Sequence, residues 1–157
     1  MSSTRATRRS SDGRILLDLD QSLINRLFRA VNLAAAPFAE TVGQAFDLSI
    51  NDWRVLRTVA FEPGLSQQGV SDRSGLDKMT VSRAVDRLRS TGRIARTLHP
   101  DDRRKSVLTL TDEGWAVYDG IVPTALEREA AFVSALTPEE QKALSSLVDR
   151  LIGRQAD

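Results

Sequence analysis

Residues 77–94 read DKMTVSRAVDRLRSTGRI, and few structures satisfy them. Val81, Ala84, Val85 and Leu88 stand at i, i+3, i+4 and i+7, the spacing of one apolar stripe on an α-helix. Asp77 is placed to cap the helix and Gly92 to end it. A helix turns about 100° per residue. Burying the stripe therefore turns Met79, Ser82, Arg83, Asp86, Arg87 and Ser90 outward, with Thr80 on the flank and Lys78 near the N-terminus. That outward face is basic and carries small hydroxyls. It is either an ordinary solvated surface or one built to lie against negative charge.

The flanking segments place this helix in a fold. Ser49 with Asp52 three residues on signals a helix start, and the helix through Trp53, Leu56, Val59 and Ala60 stops at Glu62-Pro63-Gly64. Ser66 caps a short helix ending at Ser74-Gly75; inside it Gly69 costs about 1 kcal/mol relative to alanine. A helix, a glycine-containing turn and the helix from Asp77 form the order of a helix-turn-helix unit. Two β-prone runs, 93–98 and 105–110, surround the loop HPDDRR and predict a β-hairpin. Leu16, Leu19, Leu23, Leu27 and Val31 predict a first helix from Ile15, ending near Pro37 or resuming after it. Thr111 caps a long helix, bent or broken near Pro123, and Thr137-Pro138-Glu139-Glu140 opens a last one. The chain therefore reads as mainly α with a small β-hairpin wing: a flexible basic tail over 1–14, a winged helix-turn-helix over 47–111, and helical regions over 15–46 and 112–157.

Charge follows the same division. Residues 67–105 carry ten basic and five acidic groups, whereas 106–157 carry four basic and nine acidic. A positive middle beside an acidic end is the electrostatic footprint of a phosphate-binding surface. The predicted helix has the size of the major groove and suitable chemistry for it. Arg83 can fork onto guanine, Ser82 and Thr80 can donate or accept, and Met79 can touch a thymine methyl. Asp86 can orient Arg83 or Arg87, or accept from a cytosine amine. The hairpin tip Asp101-Asp102-Arg103-Arg104-Lys105 holds three cations on a projecting loop, where an arginine can enter the minor groove. Taken alone the tip reads as a solvated turn with local ion pairs; just after a recognition-type helix it reads as a wing.

Together these residues resemble the MarR family of winged-helix transcriptional regulators. The resemblance runs from Leu48 to Gly114: LSINDWRVL at 48–56, LSQQ at 65–68, GLDKMTVSR at 75–83, VDRL at 85–88, Gly92, DDRR at 101–104 and LTDEG at 110–114. It implies a dimer of winged helices joined by the N- and C-terminal helices, mostly repressing from a pseudo-palindromic operator and released by a small ligand. Asp102 and Arg104 match the family's wing aspartate and minor-groove arginine, and Arg103 suits a phosphate contact. Ser82 and Arg83 match its recognition-helix positions, whereas Gly69 departs from the usual polar helix former. Trp53 matches a position lining the pocket in members that bind aromatic carboxylates. Arg57 lies one turn on, and Arg26 and Arg29 can supply an opposing cation, so an anionic aromatic effector is expected. Trp53 as core and the arginines as plain surface are the bland alternatives. Dimerisation has a physical motive as well, because the apolar positions of the first, fifth and last helices exceed what one small winged helix can cover.

Other classes are weaker. The sequence has no cysteine, which removes disulfides, thiolate metal sites and the family's peroxide-sensing branch. The single histidine, His99, cannot build a metal site alone, and no glycine-rich phosphate loop or nucleophile elbow occurs. No enzyme, metal or cofactor is expected. With no secretory signal and no run of about 18 apolar residues, a cytoplasmic protein is expected, without a membrane partner. A non-specific architectural DNA binder and a winged-helix protein-interaction module remain as alternatives. Salt and sequence dependence separate these from an operator binder.

Overall fold

The computed structural model describes residues 7–98 and 106–153. Its first element departs from the helix expected at Ile15. Strand β1 (Thr7–Arg9) pairs antiparallel with β2 (Ile15–Leu17), matching Thr7 to Leu17 and Arg9 to Ile15. Asp12-Gly13 is the cause: Gly13 takes φ 83° and its N–H donates to Ser10 O at 3.0 Å, closing a turn between the strands. An Asp-Gly pair is a hairpin signal that the heptad-like leucine spacing conceals. The basic stretch placed in a tail is therefore, over residues 7–9, one strand of that hairpin.

Helix α1 (Leu23–Phe38) begins instead at Ser22, whose Oγ accepts from Asn25 N at 3.3 Å. Pro37 does not end the helical path. The chain passes through a π-helical turn (Ala39–Gly43) into α2 (Gln44–Phe46), with Thr41 Oγ1 donating to the Pro37 carbonyl at 2.9 Å. Pro37 thus sits inside α1 itself, and the helical path widens only after it. Asp47 then ends the run in the left-handed region, at φ 48° and ψ 58°.

Three helices follow as expected: α3 (Ile50–Phe61), α4 (Gln67–Ser74) and α5 (Lys78–Ser90). Ser49, Ser66 and Asp77 cap them, each accepting the N–H three residues on at 2.9–3.1 Å. These bonds satisfy a donor with no partner inside its own helix. Gly69 is compatible with α4 because of packing: a Cβ there would stand 2.9 Å from Leu65 Cδ2. Val55, Leu56, Val59, Val70, Val81, Val85 and Leu88 are buried between the three helices. Each such side chain contributes about 1.5–3 kcal/mol by leaving water.

The wing pairs β3 (Ile94–Leu98) with β4 (Ser106–Leu110), from Ile94 opposite Leu110 to Leu98 opposite Ser106. Leu65 adds a bridge to Leu108, with Leu108 N donating to Leu65 O at 2.9 Å. The sequence pattern gave no sign of that third partner, which ties the hairpin base to the loop before α4. Helix α6 (Asp112–Val133) runs unbroken through Pro123, and α7 (Pro138–Leu151) opens with the expected Thr137/Glu140 capping box. Gly114 in the first turn of α6 meets the hairpin base so closely that a Cβ would lie 2.1 Å from Arg93 O. Thr111 secures this junction: its Oγ1 donates to Gly92 O at 2.6 Å and its N–H to Arg93 O at 3.2 Å.

The chain forms two compact units, Met1–Tyr118 and Asp119–Asp157. In the first, Leu19, Leu23, Ile24, Phe28, Val31 and Leu33 are more than half exposed. In the second, Leu126, Phe132, Leu147, Leu151 and Ile152 are exposed as well.

Candidate nucleic-acid interface

The face of α5 opposite its buried stripe is as the 3.6-residue period requires. Met79, at 64%, is exposed, as are Lys78, Arg83, Asp86, Arg87 and Ser90; Thr80 and Ser82 are half-buried. The helix is held rigidly at its start. Gly75 takes φ 68° in the turn, Ser71 Oγ donates to Leu76 O at 2.6 Å, and Arg54 Nη2 donates to Ser74 O at 2.9 Å. Burial, with Arg57 nearby, lowers the Arg54 pKa. Its bond to the α4 C-terminus suits a cation facing terminal carbonyls.

Not every polar group on that face is available to a ligand. Thr80 Oγ1 donates to Asp77 Oδ2 at 2.6 Å, so its hydroxyl already has an intramolecular partner. This bond, with the capping bond from Thr80 N, holds the Asp77 carboxyl below its usual pKa. Arg87 is engaged more strongly. Its Nη2 lies 2.8 Å from Asp47 Oδ1 and its Nε 3.4 Å from Asp52 Oδ2. Arg83, one turn earlier, makes no ion pair or side-chain hydrogen bond among the described residues. A shallow cavity of about 250 Å³ separates the start of α3 from α5, lined by Ser49, Asn51, Asp52, Thr80, Arg83 and Arg87 among others.

Three residues at this face, Arg93, Asp47 and Arg96, escaped the sequence reading. Arg93, the residue before β3, donates from Nη2 to Phe46 O at 2.7 Å and from Nη1 to Asp47 O at 3.3 Å. Asp47 accepts from both arginines and holds a left-handed backbone. Aspartate tolerates that conformation better than most residues, which is the only signal the sequence offered. On the wing, Arg96 Nε donates to Ser106 Oγ across the strands at 2.7 Å. The expected wing contacts Asp102, Arg103, Arg104 and Lys105 lie outside the described residues, as does His99.

Among the described residues, no side-chain hydrogen bond or ion pair joins the residues expected around an effector. Trp53 is buried, stacked on Phe38 with ring centres 6.5 Å apart and tilted against Tyr118 at 5.7 Å. Trp115 meets Tyr118 edge-on at 5.6 Å. Arg26, Arg29 and Arg57 are exposed, and among the described residues none makes an ion pair or side-chain hydrogen bond. A cavity of about 410 Å³ is lined by Gln44, Phe46, Asp47, Arg93, Glu113 and Val117 among others, and Trp53 is not in its wall. Among the described residues no group of three or more His, Cys, Asp or Glu is placed to hold a metal ion.

The MarR family model matches residues 46–105, from the last residue of α2 to the wing. The chain is 26% identical over 106 residues to the transcriptional regulator HosA of Escherichia coli O111:H-, covering 68% of this chain and 78% of HosA. The structure of the PcaV transcriptional regulator from Streptomyces coelicolor, in complex with its natural ligand, is similar. It superposes with a TM-score of 0.74 at 28% identity, over 87% of this chain and 95% of that one. Bordetella bronchiseptica BpsR, whose DNA binding is regulated by 6-hydroxynicotinic acid, gives a TM-score of 0.74 at 27% identity with the same coverages. These relatives are transcriptional regulators rather than enzymes. The capped α3–α4–α5 core, the wing and these likenesses place residues 46–105 in the MarR family, and make the chain similar over most of its length to transcriptional regulators.

Proposed function

We propose that the protein is a dimeric, sequence-specific DNA-binding regulator, a repressor released by a small anionic aromatic ligand. One observation carries the DNA reading. Helix α5 buries Val81, Ala84, Val85 and Leu88 while exposing Met79 and Arg83, the latter without an ion-pair partner among the described residues, on a capped scaffold. In this reading α5 enters the major groove. Arg83 reads a guanine, Ser82 and Met79 touch neighbouring edges, and Lys78 lies against phosphate. The wing follows the groove wall, with Arg104 in the minor groove beside Asp102, and Arg103 and Lys105 on the backbone. Thr80 acts through Asp77 at the helix start.

The exposed apolar faces of the two units support dimerisation. Exposed large apolar side chains in each unit are the kind of surface that a second copy covers. Two copies related by a twofold axis read half-sites about one helical turn apart, roughly 10 base pairs. For the ligand, two similar chains support the reading: PcaV is in complex with its natural ligand, and the DNA binding of BpsR is regulated by 6-hydroxynicotinic acid. The Phe38–Trp53–Tyr118 stack offers an aromatic wall, and Arg26, Arg29 and Arg57 are cations available to a carboxylate. Such a protein works on DNA in the cytoplasm, and no helix of the described residues is long and apolar enough to cross a membrane.

Fluorescence anisotropy at physiological salt tests this reading, comparing DNA from upstream of the protein's own gene with a scrambled duplex. A preference of about a thousandfold is expected, together with release by an aromatic acid. Equal, salt-sensitive binding to both duplexes refutes sequence-specific regulation in favour of an architectural role.

A further inference from the structure

Asp47 occupies the joint between the helical run ending at Phe46 and the capped start of α3, and among the described residues it is the one non-glycine with positive φ. From that joint it reaches both parts of the DNA-facing surface. Its Oδ1 accepts from Arg87 Nη2 at 2.8 Å, and its carbonyl from Arg93 Nη1 at 3.3 Å. Arg93 Nη2 also donates to Phe46 O at 2.7 Å. Arg87 is held from a second side by Asp52, a buried carboxylate that also accepts Ser49 N at 2.8 Å in the α3 capping box. The joint thus grips the last turns of α5 through Arg87 and the wing base through Arg93.

Arg83 and Arg87 are four residues apart and lie one above the other on the same side of α5. Both line the cavity of about 250 Å³ beside Asp52. Pinning Arg87 therefore adds to the buried stripe a second hold on the rotation of α5, next to the side chain that reads the base. A base edge accepts a guanidinium only within a narrow geometry, and a small rotation of α5 would carry Arg83 out of it.

We propose that Asp47 is a specificity-determining positioning residue, and that Arg87 is the anchor through which it acts rather than a contact to DNA phosphate. This inference rests on the reading of α5 as the recognition helix. Asp47 sets how α5 and the wing present themselves to the groove, and the left-handed backbone aims its carboxylate at Arg87 and its carbonyl at Arg93.

The test uses the full chain and two duplexes: one that the wild-type protein selects from a randomised pool, and a scrambled duplex of the same composition. Three variants are compared: Asp47→Gly, Asp47→Asn and Arg87→Gln. Glycine suits the left-handed joint, so Asp47→Gly removes the carboxylate without straining the backbone and keeps a melting temperature at or above that of wild type. Asp47→Gly and Arg87→Gln are each expected to lower the ratio of selected to scrambled affinity about tenfold. Scrambled binding and the slope of log affinity against log salt stay unchanged. The double variant loses no more than either single one, and Asp47→Asn, which keeps an acceptor for Arg87, retains most of the ratio.

Equal loss on both duplexes in Arg87→Gln, with a salt slope shallower by about one, makes Arg87 a phosphate contact and overturns the proposal. An Asp47→Gly protein that folds and keeps the wild-type ratio overturns it too, while leaving the recognition helix intact. A wild-type protein that selects no sequence overturns the recognition reading and the anchor with it.

Discussion

Gly114→Ala is expected to destabilise the protein although it places a better helix former inside α6. Helix propensity alone favours alanine by about 1 kcal/mol. Against this, the new Cβ would stand 2.1 Å from the Arg93 carbonyl oxygen and 3.3 Å from Leu110 Cβ. The first obstacle is backbone at the root of the wing, where no rotamer change relieves the overlap. The start of α6 must move by more than an ångström, which strains or breaks the Thr111 bonds to Gly92 O and Arg93 O. Overpacking of this kind costs about 1–3 kcal/mol, and each weakened hydrogen bond about 0.5–1.5 kcal/mol. After subtracting the propensity gain, a net loss of roughly 1–5 kcal/mol is left. Equilibrium urea unfolding followed by tryptophan fluorescence reads it directly, because Trp115 lies one residue away. Protein concentration must be matched between variants, since association shifts apparent stability. The sign decides the matter: a variant more stable by about 1 kcal/mol shows that propensity governs this site and that α6 does not press on the wing base.

Other consequences follow from the proposed interface and the caps. Arg83→Ala should weaken binding to the operator by about 1–3 kcal/mol and relax preference at one base pair per half-site; equal loss on scrambled DNA would reduce Arg83 to a phosphate contact. Arg104→Ala should lose most affinity on operators with an A/T-rich flank at the wing, and the minor-groove role falls if the flank makes no difference. Asp77 has a depressed pKa in the fold, set first by its bond from Thr80 Oγ1. Its charge-dependent contribution is therefore complete above the unfolded value of about 3.9 and disappears as pH falls through the lower folded value. The stability gap between wild type and Asp77→Asn should accordingly be present at neutral pH and close in acid, and a gap that ignores pH refutes the assignment.

Where periodicity and capping agreed, the sequence was sufficient. Val81, Ala84, Val85 and Leu88 fix the buried side of α5, and Ser49, Ser66, Asp77 and Thr137 mark four helix starts within a residue. It misled at the N-terminus, where leucines spaced by three and four suggested a helix and the Asp12-Gly13 turn imposed a hairpin. Turn geometry is set by two residues, and a window long enough to detect helical period averages them away. The Leu65 bridge to the wing and the Asp47–Arg87 pair were illegible for another reason. They join residues about forty apart, and nothing in local pattern says which arginine will find which carboxylate. The exposed side of α5 was legible as a surface, but which of its arginines are free on it was not.

That last distinction changes what the basic middle of the chain means. Seven cations fall between residues 67 and 98, and counted by sequence all belong to one positive field. In the fold, Arg73 sits 5.2 Å from the Phe61 ring centre and 3.4 Å from Glu62, and Arg87 lies between Asp47 and Asp52. Arg93 caps the carbonyls that end α2, and Arg96 bonds across the wing to Ser106. Lys78, Arg83 and Arg89 are the members with no such partner among the described residues. Two of them, Lys78 and Arg83, lie on the first two turns of α5, the part of a recognition helix that reaches base edges. The charge excess is thus divided between two tasks. Two of the seven, Arg87 and Arg93, tie α5 and the wing base to the joint below. Arg73 and Arg96 are paired elsewhere, and Lys78 and Arg83 stay exposed on the first two turns of α5. A surface built only for non-specific attraction would leave more of its arginines unpaired and would not need their positions fixed, so this pairing favours a reader of sequence over a charged coat for DNA.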